Sequence, residues 1–191
     1  NFKQLVREIC NSRAYQRSVQ STESNQSDTR NFAKSTIRRV RAEVLLDIIS
    51  QVTDTQNKFR GLPNGSSAVE IVDGGTSTFF LTTFGRATRT TVCSCEVALE
   101  PNLSQALHLL NGDTVNTKCS QGGVVRKLLQ AGKKADDVID ELYIRCLARK
   151  PTETEKTKLM AFVGEEGRTD EDVLNDLFWA VLNSKEFIFN H

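Results

Sequence analysis

The sequence predicts a mainly α, multi-helix globular domain with an irregular middle insert that holds a small β-hairpin. Three observations predict it. Apolar residues recur at three- and four-residue steps before residue 54 and after residue 101. Several of these runs are framed by recognisable helix starts and stops. Between Gly61 and Val97 the helical period is lost, and Pro63, Gly65, Gly74, Gly75 and Gly85 punctuate the chain instead.

In chain order, Phe2, Leu5, Val6 and Ile9 fall on one side of an amphipathic helix predicted over residues 2–14. Residues 18–30 contain one aliphatic and no aromatic side chain, so they supply no core and read as a polar loop or linker. The next pattern, Ile37, Val40, Val44, Leu45, Ile48, Ile49 and Val52, predicts a helix from about Asn31 or Thr36 to Thr53. Arg39, Glu43 and Asp47 then make an i, i+4 column on another of its faces. Residues 61–100 form the insert, with the runs 68–72 and 78–83 flanking a turn at Asp73-Gly74-Gly75 as the expected hairpin. Beyond Pro101, Asn102 can cap a helix over Leu103–Leu110 and Asp113 a second one, followed by Val124–Ala131, stopped at Gly132. Asp136 is expected to open a helix carrying Val138, Ile139, Leu142, Tyr143, Cys146 and Leu147. Thr152-x-x-Glu155 is a capping box, and Thr169 with an acidic first turn begins the last long helix.

The chain of 191 residues carries 25 basic and 24 acidic side chains, a net charge of +1. That balance argues against nucleic acid as partner, because such binders usually carry a basic excess. No apolar run approaches the roughly 20 residues of a membrane span, and no targeting signal is present in this segment. The charge is unevenly placed, with 11 basic and 6 acidic residues in 1–60 against 4 and 9 in 151–191. The two ends either complement each other or offer a basic face to an anionic ligand.

The chemistry-bearing residues are few. Cys93-Ser94-Cys95 is too tight for the usual zinc knuckle, so a metal site must recruit Cys119 and His108 through the fold. A disulfide from Cys119 to Cys93 or Cys95 is the alternative. Cys10 and Cys146 sit on apolar helical faces and read as core residues. The segment lacks a Cys-x-x-Cys-His motif, so no haem cofactor is expected in it. Glu96 and Glu100 are the candidate catalytic carboxylates, formally able to act as an acid and base pair in glycoside hydrolysis. Arg86, Arg89 and His108 are the candidate binding residues, the arginines for an anion or glycan. Buried ion pairs for the arginines and a hydrogen-bonded core position for His108 are the competing structural readings.

Particular strings carry a family resemblance. They are Asn11-Ser12-Arg13-Ala14-Tyr15-Gln16-Arg17-Ser18, Phe84-Gly85-Arg86 with Cys93-Ser94-Cys95-Glu96, Gln105-Ala106-Leu107-His108-Leu109-Leu110-Asn111-Gly112, and Leu182-Asn183-Ser184-Lys185-Glu186-Phe187. Together with Arg38-Arg39, Glu141-Leu142-Tyr143 and Arg149-Lys150-Pro151-Thr152, they run in order along nearly the whole chain. The set resembles the planctomycete-specific C-terminal domain of unknown function found in large proteins that often carry a cytochrome c-like domain. The resemblance implies an exported protein with an extracytoplasmic location, and residues 1–191 as a single helical domain forming a C-terminal fragment of it. In that family the Cys-x-Cys-Glu motif usually continues with arginine, whereas Val97 stands here.

The function expected from this reading is a helical interaction or scaffold domain that packs on upstream companion domains of the same protein. One alternative is part of a carbohydrate-active hydrolase using Glu96 and Glu100. Another is a metal-binding module at Cys93 and Cys95.

Overall fold

The computed structural model describes residues 1–28, 30–91, 97–164 and 167–190. It is mainly helical, with one two-stranded sheet made by β1 (Arg38–Arg39) and β2 (Phe189–Asn190). The chain divides into two compact units, Asn1–Arg38 with Phe189–His191, and Arg39–Ile188.

The first unit begins with α1 (Phe2–Cys10), which the Asn1 side chain caps by accepting from the Gln4 N–H at 3.4 Å. The polar stretch that follows is organised by hydrogen bonds rather than by packing. Asp28 accepts from the backbone N–H groups of Arg30, Asn31 and Ala33 at 3.1, 2.9 and 2.8 Å. Those three donors hold its carboxyl below the usual aspartate range. No described residue from 1 to 38 is buried.

The second unit holds the core. Its first helix is α2 (Ala42–Val52), which buries Leu45, Leu46 and Ile49. Asp47 on α2 accepts from the N–H groups of Ala68 and Val69 at 2.6 and 3.2 Å, seating a single 3-10 turn over Ala68–Glu70. Next come α3 (Phe79–Thr83), α4 (Leu103–Asn111), α5 (Asp113–Gly122), α6 (Val124–Gln130) and α7 (Ala135–Leu147). They are followed by α8 (Glu153–Met160), α9 (Asp170–Leu182) and the short α10 (Lys185–Ile188). The organising element is α9, which packs against α5, α6 and α7 and buries Val173, Leu174, Phe178, Val181 and Leu182. Its start follows the sequence signal: the Thr169 hydroxyl accepts from the Asp172 N–H, and Asp172 accepts in return from Thr169. The same reciprocal cap joins Thr152 and Glu155 at α8. At Gly122, a Cβ would stand 1.6 Å from the Thr53 carbonyl oxygen, so only glycine lets α5 pass this close to the end of α2.

Four local expectations change. The first helix stops at Cys10 rather than residue 14. The second begins at Ala42, because Arg41 is extended (ψ 149) and Arg39 lies in β1. The column of Arg39, Glu43 and Asp47 is therefore dismantled, and the three side chains serve three different partners. The sheet does not lie at 68–83. Ser67 and Glu70 cap a 3-10 turn there, the Thr78 hydroxyl caps α3, and the consecutive burial of Phe80 and Leu81 is helical rather than alternating. Finally, Lys134 occupies the N-cap of α7, and Asp136 with Asp137 fills the first turn, where carboxylates favour the positive helix end.

Candidate functional site

On α1, Phe2, Leu5, Val6 and Ile9 fall within an arc of about 100° at 100° per residue. They are 80%, 52%, 42% and 50% exposed, respectively. Gln4 and Glu8 pair on another face at 3.0 Å, so the helix is amphipathic with its apolar stripe open.

His108 lies on α4 and is buried. Its ring packs against Phe79, Phe80 and Phe84 at centroid distances of 5.2, 5.6 and 6.1 Å. Its Nε2 shares a hydrogen bond of 3.2 Å with the Thr114 hydroxyl. A Cβ at Gly112 would come within 2.7 Å of the ring nitrogen Nδ1, so the turn after α4 admits only glycine beside the imidazole. Burial pushes the histidine pKa down, opposed by the charge of Asp113. Burial thus favours the neutral imidazole within this aromatic wall.

Arg86 is buried, and its two Nη groups are engaged by the insert. Its Nη1 donates to the Thr76 carbonyl at 2.8 Å, and its Nη2 donates to those of Asp73 and Ile71 at 2.8 and 3.2 Å. Its Nε stands 3.4 Å from the Glu43 carboxylate. Arg89, at φ 56, donates to the Val72 carbonyl at 2.7 Å. Glu100 is exposed, and its carbonyl accepts from the Gln105 side chain at 3.4 Å. Cys93, Cys95 and Glu96 lie outside the described residues. Cys119 is buried on α5 and Cys146 half-buried on α7, and desolvation pushes each thiol up to about 12. The raised values disfavour nucleophilic attack by either thiol near neutral pH. Cys10, expected in a core, is exposed. Among the described residues no three His, Cys, Asp or Glu side chains gather as a metal would require, and no helix is long and apolar enough to cross a membrane.

Sequence reasoning missed three features. Arg39 is buried, donates from Nη2 to the carbonyls of Phe84 and Ala98 at 2.8 Å each, and lies over the Phe84 ring. A shallow cavity of about 320 Å³ lies between α2, α3 and α5. On it Lys118, whose pKa burial lowers, donates to the Thr55 hydroxyl at 3.1 Å. A third feature is a groove of about 660 Å³ between α5, α6 and α9, with Trp179 on its wall and Asn116, Ser120, Asn175 and Asp176 around it. The signal for it was present: Glu171, Asn175 and Trp179 recur every four residues, off the apolar stripe of α9.

Among the described residues, the helical fold carries an open apolar face on α1, exposed leucines on α4 and a polar groove beside Trp179. A model of the PSD1 family, described as Protein of unknown function (DUF1553), matches residues 1–163. The chain belongs to that family. The match ends before α9. No curated protein and no solved structure matches the chain.

Proposed function

We propose that the chain acts as a helical interaction domain, docking through the apolar face of α1 onto a companion domain of the same polypeptide. One observation carries the reading: α1 is strongly amphipathic, yet none of its residues is buried. An exposed stripe of Phe, Leu, Val and Ile costs solvation free energy that a partner surface would recover, at roughly 25 cal/mol per Å² of apolar area covered. A helix of nine residues is also marginal alone in water and gains its stability from packing of that face. The sequence resemblance supplies the setting: an exported, cytochrome c-associated multidomain protein with this domain outside the cytoplasm, where the basic N-terminal third would favour an acidic companion surface.

Hydrogen exchange on the 191-residue chain and on a longer form including the upstream sequence tests the reading. Amides of residues 2–10 should exchange at least roughly tenfold more slowly in the longer form, about 1.4 kcal/mol of protection. A Leu5→Glu, Ile9→Glu variant should lose that protection while the melting of the second unit stays unchanged. Equally fast exchange in both forms would overturn the proposal.

A further inference from the structure

We infer that the groove between α5 and α9 is a binding site for a neutral oligosaccharide, with Trp179 as its platform. The reasoning starts from the helix face. The four-residue steps of α9 bring Glu171, Asn175 and Trp179 to the groove, while Leu174 and Phe178 turn into the core. Across the opening, Asn116 and Ser120 project from α5 one turn apart. The space between, about 660 Å³, is of a size that takes a small ligand. Its lining is richer in amides, hydroxyls and carboxylates than the mostly apolar pockets that hold drug-like molecules.

Charge narrows the ligand class. Glu171 is paired with Arg126 at 2.9 Å, and Asp176 is paired with Arg168. Asp172 is occupied by the Thr169 hydroxyl and backbone in the cap of α9. An anion would meet three carboxylates against the single lining cation Arg126, itself paired with Glu171, and a cation would meet carboxylates already committed. A neutral ligand with many hydroxyls meets neither difficulty, and the amides of Asn116 and Asn175 can both donate to and accept from it.

The tryptophan supplies the second, independent observation. It is the only one in the chain, and its Nε1–H is shielded from solvent without an acceptor among the described residues. An unmet indole donor costs stability, and phenylalanine or leucine would fill the space without it. Such a cost tends to be kept where a site needs the residue. An indole on the wall of a groove offers a broad surface against which the C–H face of a pyranose ring can stack, while neighbouring amides bind its hydroxyls.

The single tryptophan also makes the test direct. The 191-residue chain is titrated with cellohexaose, xylohexaose, maltohexaose and N-acetylchitohexaose, followed by tryptophan emission and by calorimetry, with spermine as a cationic control. At least one hexasaccharide should give a saturable emission shift and matching heat. Asn175→Ala and Asn116→Ala should each weaken that binding roughly tenfold, the worth of one hydrogen bond, with helical content and melting unchanged. Trp179→Phe should abolish the calorimetric signal. The proposal is overturned if none of the four sugars binds, if spermine binds in their place, or if the asparagine variants bind as the unmodified chain does.

Discussion

Replacing Arg86 with methionine keeps most of the side-chain volume and removes the guanidinium, so it isolates the polar work of that residue. The structure shows what is lost: hydrogen bonds to the carbonyls of Thr76, Asp73 and Ile71 at 2.8, 2.8 and 3.2 Å, and the approach to Glu43 at 3.4 Å. Charge-assisted hydrogen bonds are worth about 1.5–3 kcal/mol each, but their sum overstates the cost. The Thr76 and Asp73 contacts lie only part-buried, and water can reach those carbonyls once the guanidinium is gone. The Ile71 contact is buried, and the Glu43 side chain, 20% exposed, keeps an uncompensated charge. Breaking one partner of a buried pair costs roughly 3–5 kcal/mol, so about 4 kcal/mol is expected. For a unit of about 150 residues, at about 2–4 °C per kcal/mol, the melting temperature should fall by about 8–16 °C. Circular dichroism during thermal and urea unfolding measures both quantities. A cycle with Glu43→Gln adds the sharper check, since coupling across the pair should exceed about 1 kcal/mol. A cost below about 1 kcal/mol for Arg86→Met, or strict additivity with Glu43→Gln, would refute the buried-clamp reasoning.

Three further substitutions test other contacts of the fold. Arg149 donates to Glu155 at 2.9 Å and to Glu186 at 2.6 and 2.7 Å, and it pulls the Glu155 pKa from 4.5 down to about 2, helped by the Thr152 N–H. A depressed carboxylate stabilises the fold fully above its unfolded value. Its contribution is therefore lost as pH falls from about 4.5 through about 2. Melting temperatures between pH 6 and 2 should drop more steeply for the unmodified chain than for Arg149→Met, and identical slopes would exclude this linkage. Gly122→Ala should cost about 3 kcal/mol, because its Cβ meets the Thr53 carbonyl oxygen. Gly123→Ala, at φ 57 with open space around it, should cost only about 1–2 kcal/mol from backbone strain. Urea midpoints that rank the two glycines the other way would contradict the close approach of α5 to α2.

Much of the helical frame was legible because its signals are local. Thr152 with Glu155, and Thr169 with its acidic first turn, mark the starts of α8 and α9 within four residues of sequence. Where the answer depended on partners far along the chain, the pattern misled. Arg39 stands in an i, i+4 column with Glu43 and Asp47 and reads as helix, yet its guanidinium reaches carbonyls 45 and 59 residues away, and that contact accompanies an extended backbone. For Arg86 the structural alternative, a buried ion pair, was legible, but Glu43 as the partner was not, since nothing local links the two. The amphipathic period of α1 was readable, whereas its exposure was not: periodicity shows that a face is apolar, not whether it is covered. Trp179 escaped because the apolar stripe beside it explained α9 without it.

The arginine cases share one physical cause, and it bears on where function resides. Residues 61–91 and 97–100 form no β ladder, so their carbonyls need other donors. Arginines supply them: Arg86 serves Ile71, Asp73 and Thr76, Arg89 serves Val72, and Arg39 serves Phe84 and Ala98. A guanidinium has five N–H donors and can satisfy several carbonyls at once, so three arginines can do work that a strand pairing would otherwise do. The conspicuous cations of the insert are then committed to its own backbone, with Glu43 as the counter-charge at Arg86. Charged residues in an irregular segment look like a ligand site from sequence because the unpaired carbonyls they serve are invisible there. Once those carbonyls are counted, the stripe of α1 and the Trp179 groove stand out, among the described residues, as surfaces not committed to the backbone of the insert.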